Sequence, residues 1–250
     1  MIISHKHKFI FIKTFKVSGT SMEIALSRYL NDKDVLTPIN LEDEIKRFKK
    51  TGKLPQNYSN NKIEENDYKK YIKKLTKKKL TKKKLNELEK KKDDRFKHIT
   101  FYNHMSAQKI KNQMNKSVWK SYFKFTIERN PYDKVISFMY FANRFKKILD
   151  TNKEIDKTIK LKKYLNYPLY TNRNKKIMVD YIIDYGSLKK DIKFVEKKLN
   201  LELSKHYIKT KNYTRKDKRN YKNILNVSQI KKIYIDANLE FKIMSYKNNE

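Results

Sequence analysis

Residues 8–30, KFIFIKTFKVSGTSMEIALSRYL, constrain the fold more than any other part of the chain. They open with an apolar run at 9–12, and such a run without alternation is typical of a strand buried on both faces of a parallel sheet. A loop that contains Gly19, one of only three glycines, comes next. Apolar residues at helical spacing then predict a helix that begins with a Ser or Thr cap. The stretch therefore predicts a buried strand, a tight loop and a helix.

The loop between this strand and this helix is suited to binding a phosphate. The first N–H groups of a helix have no partners within it, and the helix dipole makes that end positive. A loop that curls onto such a helix start cradles an anion. Lys16 adds a mobile positive charge, and the hydroxyls of Thr20 and Ser21 add donors. An ordinary strand–helix connection is the alternative, and the nucleoside-triphosphate pattern G-x-x-x-x-G-K-[ST] is absent.

The charge of the chain is strongly one-sided. In 250 residues, 62 are basic and 27 are acidic, and the formal net charge of +35 invites a nucleic-acid interpretation. Only eight of the 62 are arginine, while Lys, Asn, Ile and Tyr are abundant and Gly, Pro and Ala are scarce. This composition is typical of AT-rich coding. We therefore interpret much of the lysine as solvated surface, and we attach more weight to each arginine and glycine.

Several classes of protein are excluded or disfavoured by what the chain lacks. It has no cysteine, which excludes disulfides, cysteine–metal sites and a thiol nucleophile. Its five histidines show no metal-ligand spacing with carboxylates. It contains no run of about 18 apolar residues and no leader pattern at its beginning. We therefore expect a cytoplasmic, bacterial protein with no metal and no transmembrane segment.

The ends of the predicted strands carry the polar residues that point to a site. Further strands are predicted at residues 99–102, 122–127 and 179–185. Strands that alternate with helices predict a parallel sheet with helices on both faces. Right-handed crossovers then gather the carboxyl ends of the strands at one edge, where ligands of such sheets bind. Since Lys16, His104 and Arg129 each follow a predicted strand, we expect them to share one crevice.

The remaining chain is predicted to form helices and one segment of unusual composition. Helices are predicted at residues 41–50, 107–115, 131–145, 158–165, 187–199 and 228–241. The unusual segment, at 57–97, holds 13 lysines between positions 69 and 92, and its leucines 75, 80 and 85 do not keep to one helical face. We interpret it as a solvated, mostly helical insertion within a single domain spanning 1–250. Docking of this segment to an anionic polymer or a membrane surface is left open.

Three motifs resemble those of the sulfotransferases that use 3′-phosphoadenosine-5′-phosphosulfate (PAPS), especially the carbohydrate-type families. FIKTFKVSGTSM is similar to the family's 5′-phosphosulfate loop, and FYNHMSAQKIKN to the segment that holds its histidine base. FKFTIERNPYDKVISFMYF resembles the 3′-phosphate motif, Arg-Asn-Pro-Tyr/Trp-Asp-Arg-x-x-Ser. The resemblance implies an α/β fold with a P-loop-NTPase-like parallel sheet flanked by helices. It also implies transfer of a sulfuryl group from PAPS to an acceptor hydroxyl, on a carbohydrate, without a metal.

The resemblance implies a role for each matching residue. Lys16 would contact the 5′-phosphate and stabilise the leaving group, and His104 would be the general base. Arg129 and Ser137 would hold the 3′-phosphate. The residues implied to cradle the 5′-phosphate are Lys16, Val17, Ser18, Gly19, Thr20 and Ser21.

The chain departs from the family pattern at three places. Val17 and Ser18 stand where Thr-Gly or Gly-Gly is usual, and Ser18 would be strained if its φ were positive. Lys134 replaces the usual arginine. Glu128 precedes Arg129 and is a candidate to neutralise it. An inactive relative, a kinase-like phosphate-binding enzyme and a non-enzymatic basic binder of nucleic acid or anionic glycan are therefore the alternatives.

Overall fold

The computed structural model describes residues 1–90, 98–146, 148–207 and 215–246. In these residues the chain forms a five-stranded sheet surrounded by helices. The strands are β1 (Ile2–Ser4), β2 (Phe9–Phe11), β3 (Val35–Leu36), β4 (Phe123–Glu128) and β5 (Tyr181–Asp184), and their order in the sheet is β3-β1-β2-β4-β5. The helices are α1 (Gly19–Ser27), α2 (Leu41–Thr51), α3 (Lys62–Thr76), α4 (Lys82–Lys90), α5 (Ala107–Gln113), α6 (Lys116–Ser121), α7 (Pro131–Ala142), α8 (Thr151–Leu161), α9 (Tyr167–Tyr170), α10 (Leu188–Leu199), α11 (Leu203–His206), α12 (Val227–Asp236) and α13 (Asn238–Met244).

The sheet is mixed rather than parallel throughout. Strands β2, β4 and β5 are neighbours and run parallel, which confirms three of the predicted strands. Strand β1 lies antiparallel to both β2 and β3, and neither β1 nor β3 was predicted. Both are only two or three residues long, too short for a periodic pattern. The parallel part is nevertheless the part whose carboxyl ends form the site described below.

The prediction of a strand at 99–102 is wrong. Ile99 makes one isolated bridge to Ser59, and the N–H groups of Thr100 and Phe101 both donate to the carbonyl of Tyr58, at 2.9 and 3.0 Å. The segment is a loop whose aromatic side chains pack between two hydrophobic clusters. Aromatic and β-branched residues favour any half-buried position, so their presence alone did not identify a strand.

Helices cover both faces of the sheet, as predicted. Along β2, Phe9 and Phe11 are buried in a cluster with residues of α1 and α10. Ile10 and Ile12 are buried on the opposite face with residues of α5 and α6. Since successive residues of a strand point to opposite faces, this short apolar run fills two cores. It therefore holds β2 at the centre of the molecule.

The lysine-rich segment is helical, as predicted, but it also has a hydrophobic side. Leu75 is buried against α2, and Leu80 and Leu85 pack partly against the same cluster. Helix α3 ends at Thr76 and α4 begins at Lys82, so the chain turns between them. This break is why leucines five residues apart meet one core. Residues 91–97 of the predicted insertion lie outside the described residues.

Candidate functional site

The carboxyl ends of the three parallel strands open onto a cavity of about 440 Å³. The loop after β2 contributes Lys16, Arg129 follows β4, and Tyr185 follows β5. Ligand sites typically have volumes of about 300–1,000 Å³, so the cavity is large enough for a small molecule. The lining residues are Lys13, Thr14, Phe15, Lys16, Ser18, Gly19, Thr20, Asn40, Asn103, His104, Arg129, Ser137, Phe138, Phe141, Tyr185, Arg215 and Lys218.

Most of the residues that the sequence proposed for the site line this one cavity. They are Lys16, Ser18, Gly19, Thr20, His104, Arg129 and Ser137. Val17 and Ser21 lie outside its lining, because the side chain of Val17 is fully buried in the core beneath the loop. The N–H of Ser21 donates to the carbonyl of Ser18 at 3.0 Å, and the Ser18 hydroxyl donates to Ser21 Oγ at 3.1 Å. These bonds fold the loop onto the start of α1.

Three residues around the cavity hold an uncommon backbone conformation. Lys16, Ser18 and His104 have φ values of 60°, 64° and 60°, in the left-handed region that favours glycine. Each such residue costs on the order of 1–3 kcal/mol, and such residues cluster at functional sites. Gly19 is required for another reason: a Cβ there would lie 2.9 Å from Cγ of Lys13. The structure thus confirms the positive φ considered for Ser18.

Among the residues that the structure describes, no side chain caps the first turn of α1. Ser18 occupies the N-cap position, as predicted, but a capping side chain needs an extended backbone and Ser18 is left-handed (ψ 23°). The start of the helix instead faces the cavity through Gly19 and Thr20. Because this end of the helix is positive, it favours an anion in the cavity.

Asn166 holds the loop in place from a distant part of the sequence. Its Oδ1 accepts from the N–H of Phe15 at 2.9 Å, and its Nδ2 donates to the carbonyl of Phe15 at 3.0 Å. Asn166 is fully buried, so both bonds are shielded from water. The Thr14 hydroxyl also donates to the carbonyl of Ile127 in β4. Sequence reasoning missed Asn166, because nothing local marks an asparagine 151 residues away as a partner of the loop.

Arg129 is a mostly buried cation on the cavity wall. Its side chain is only 14% exposed, and its guanidinium lies over the ring of Tyr185, 4.5 Å from the centroid. Its Nη2 is 3.9 Å from Asp133, and its buried Nε has no hydrogen-bond partner among the described residues. Burial lowers the pKa of Arg129, and Asp133 opposes this. A buried donor without a partner is costly, so this side chain is suited to an anionic ligand.

Arg215 and Lys218 add positive charge that the sequence analysis did not assign to the site. Arg215 Nη1 pairs with Oδ1 of Asp133 at 2.8 Å, so Asp133 is shared with Arg129. None of the described residues that line the cavity is an aspartate or a glutamate. The scarcity of arginine was the one signal that could have singled out Arg215. The cavity is therefore strongly electropositive.

Glu128 does not neutralise Arg129. Its carboxylate is fully buried and accepts from Lys134 Nζ at 2.6 Å, and Lys134 also contacts Glu240 at 2.7 Å. Tyr170 donates to the same Glu128 carboxylate at 3.0 Å. The two departures from the family motif, Glu128 and Lys134, therefore form one buried ion pair. This leaves the guanidinium of Arg129 available to the cavity.

His104 reaches the cavity although it does not follow a strand. Its Nδ1 lies 3.1 Å from the carbonyl of Lys13, and its ring stacks on Phe15 with centroids 3.9 Å apart. A carbonyl can only accept, so Nδ1 carries the proton and Nε2 keeps its lone pair. Burial and then the charge of Lys13 lower the pKa of His104 to about 3. The ring is therefore neutral at physiological pH, with its lone pair at Nε2.

The chain is similar to an archaeal protein over part of its length. An uncharacterized protein from Archaeoglobus fulgidus is 38% identical over 100 residues, which are 39% of this chain and 83% of that protein. The chain belongs to the family of that archaeal protein. No family model and no solved structure matches it. Because that relative is uncharacterized, the relationship indicates no activity for this chain.

Two further properties of the described residues bear on the class of site. They contain no group of three or more His, Cys, Asp or Glu side chains placed to hold a metal ion. Within the same ranges, no helix combines the length and the apolar composition that crossing a bilayer requires.

The histidine gives a test of the geometry that needs no ligand. We expect long-range ¹H–¹⁵N spectra to show the His104 ring as the neutral Nδ1–H tautomer down to a pH near its pKa of about 3. In the unfolded chain a histidine titrates near about pH 6.5. The unfolded state therefore takes up this proton first, and the contribution of His104 lowers the free energy of unfolding as pH falls between these values. Spectra of His104→Gln assign the signal, and an imidazolium at pH 6 would contradict the prediction.

Proposed function

We propose that this protein is a sulfotransferase that transfers a sulfuryl group from PAPS to the hydroxyl of an acceptor, most simply a carbohydrate. The observation that carries the proposal is the convergence of Lys16 and Arg129 on one cavity, from the ends of neighbouring parallel strands. PAPS has phosphate groups at both ends of its ribose, so its binding needs two separate cationic positions. An electropositive cavity, whose described lining residues include no carboxylate, supports this choice of donor.

The loop after β2 is proposed to hold the 5′-phosphosulfate end in a P-loop-like manner. The support is the uncapped start of α1, which faces the cavity through Gly19 and Thr20, together with the cation Lys16. In the structure Lys16 Nζ lies 3.9 Å from the centroid of the Phe141 ring, still on the cavity wall. A flexible lysine needs only rotation of its side chain to exchange this ring for a phosphate oxygen.

The part of the cavity that is lined by Arg129 and Ser137 is proposed to hold the other end of the nucleotide, the 3′-phosphate. Arg129 offers a guanidinium with a buried Nε that has no protein partner within the described residues. Ser137, which is 9% exposed, lines the same cavity from α7. Arg215 lies near Arg129, because both contact Asp133. Planar guanidinium groups match the geometry of phosphate oxygens, so this end is well suited to a terminal phosphate.

The proposed reaction uses His104 and Lys16 in complementary roles. The acceptor oxygen forms a bond to sulfur while the bond from sulfur to the 5′-phosphate oxygen breaks. The acceptor proton passes to Nε2 of His104, and the electron pair of the broken bond stays on the phosphate, where Lys16 offsets the added charge. A positioned base typically contributes about 10²–10⁴-fold when its pKa lies near the operating pH, and the negative charge of bound PAPS would raise the low pKa of His104 in that direction. The protein otherwise aligns groups and stabilises spreading charge, as in phosphoryl transfer.

A thermal-shift experiment with 3′-phosphoadenosine 5′-phosphate (PAP), the product nucleotide, tests the proposal. At a concentration of about a hundred times the dissociation constant, PAP should add about 2.7 kcal/mol to the free energy of unfolding. ATP with magnesium should give a clearly smaller shift at the same concentration. Stabilisation by ATP and not by PAP would favour the kinase-like alternative. An affinity for polyanions that falls steeply with salt and does not change when PAP is added would favour a basic protein that binds anionic polymers.

A further inference from the structure

A second cavity, of about 490 Å³, adjoins the proposed nucleotide cavity. The two share Asn40 and Phe141 in their walls. The ring of Phe141 lies under Lys16 Nζ on the first side, at 3.9 Å, and beside the guanidinium of Arg144 in the second cavity, at 4.3 Å. Lys16 is proposed to contact the leaving group. The second cavity therefore begins next to the position of the sulfuryl group that would be transferred.

One wall of the second cavity comes from the lysine-rich segment. Helix α4 contributes Leu85, Asn86 and Glu89 to the lining. The helix is held to α2 by the Leu41 N–H, which donates to Glu89 Oε2 at 2.6 Å, and by Leu85 in the shared hydrophobic cluster. The segment is therefore a fixed part of the cavity wall, which gives it a role beyond solvated surface.

The chemistry of the lining favours a neutral, hydroxyl-rich ring. Aromatic rings, amides and carboxylates line it together: Tyr140, Phe141, Asn40, Asn86, Asn143 and Glu89. Aromatic rings stack on the apolar face of a sugar, while amides and carboxylates exchange hydrogen bonds with its hydroxyls.

Three cations line this cavity, and two of them, Arg144 and Lys146, are already engaged, while Lys216 is the third. Arg144 lies over Phe141 and Phe145 and donates to the carbonyl of Phe141 at 2.8 Å. Lys146 pairs with Glu154 at 2.5 Å. A polyanion would have to compete with these contacts and approach the carboxylates Glu42 and Glu89. A neutral ligand would not have to displace these contacts, and the carboxylates would not repel it.

We propose that the second cavity is the acceptor site, that it takes a neutral saccharide, and that α4 of the lysine-rich segment is the wall that selects it. This inference rests on the proposed sulfotransferase function. It assigns to the lysine-rich segment a part in acceptor recognition and not in docking to a polyanion.

Asn86 allows a sharp test. It lies on the cavity wall, whereas its neighbour Glu87 on α4 is exposed, does not line the cavity and makes only a surface contact with Lys84 at 3.3 Å. Asn86→Trp should fill the cavity, and Glu87→Trp places the same side chain in solvent as the matched control. Saturation-transfer NMR on the PAP-loaded protein should be run with maltotriose, tri-N-acetylchitotriose and 4-nitrophenol as probes.

We expect at least one saccharide to bind the PAP-loaded wild type and the Glu87→Trp variant. Asn86→Trp should weaken that binding by about tenfold or more, the size expected when a pocket is sterically changed. Its affinity for PAP should change by less than about twofold, which also shows that the variant is folded.

Three outcomes would overturn the inference and leave the proposed function standing, provided that PAP binds. They are binding of neither saccharide, binding of 4-nitrophenol alone, and equal saccharide binding by Asn86→Trp and the wild type. Failure of PAP to bind the wild type would overturn the inference together with the proposed function.

Discussion

Replacing Arg129 with alanine should weaken PAP binding by about 2–5 kcal/mol, or about 30-fold to several thousand-fold. The reason is that a mostly buried guanidinium, with an Nε that no described residue satisfies, would lose its contact with the 3′-phosphate. The fold should tolerate the change, because Asp133 keeps its 2.8 Å contact with Arg215. Isothermal titration with PAP measures the effect.

Two companion variants make the Arg129 experiment specific. Arg173→Ala removes an exposed arginine outside the proposed nucleotide cavity and should leave PAP affinity unchanged. Arg129→Lys keeps the charge but loses the planar fork, so its affinity should fall between those of the wild type and the alanine variant. Wild-type affinity in Arg129→Ala would show that the nucleotide does not use this residue, and the proposed binding mode would then be wrong.

Replacing Lys134 with alanine should destabilise the protein by about 3–5 kcal/mol, the usual result of removing one partner from a buried ion pair. Lys134 Nζ lies 2.6 Å from Glu128 and 2.7 Å from Glu240, and all three side chains are fully buried. Without the lysine, two carboxylates would face each other in the core. Urea denaturation at neutral pH measures the loss, and Lys160→Ala, at an exposed position of α8, is the control.

The destabilisation of Lys134→Ala should depend on pH in a defined direction. Burial and the neighbouring Glu128 already raise the pKa of Glu240, and Lys134 opposes that rise. Removing Lys134 therefore raises this pKa further in the folded state, while an unfolded glutamate titrates near about pH 4.3. The folded wild type already takes up this proton near its Glu240 pKa of about 7, whereas the folded variant takes it up at higher pH, so the loss of stability should shrink as pH falls from alkaline values toward 7. A loss that grows on acidification would contradict this account of the ion pair.

The sequence left open whether Glu128 neutralises Arg129, and only the packing of Glu128 against Lys134 answered this question. Beside Arg129 in the sequence, Glu128 was a reasonable candidate to neutralise it. In the fold, successive residues at the end of β4 point in opposite directions, and Glu128 enters the core. There it meets Lys134 and Glu240, and the second of these lies 106 residues beyond Lys134.

The sequence by itself determined the local parts of the site. An apolar run predicted β2, the following loop and glycine predicted a strand-to-helix turn, and Asn130 followed by Pro131 predicted the start of α7 after β4. These features depend on neighbours within a few residues, where backbone propensity and periodicity act directly.

Only the tertiary structure decided which side chains meet. It turned Val17 into the core, brought His104 to the cavity on a loop and not a strand, and supplied Asn166 and Arg215 from distant segments. It also turned the lysine-rich segment into a cavity wall. These placements arise from packing between residues that are far apart in the chain. A contact across the core requires no particular spacing along the sequence, so no local sequence pattern predicts it.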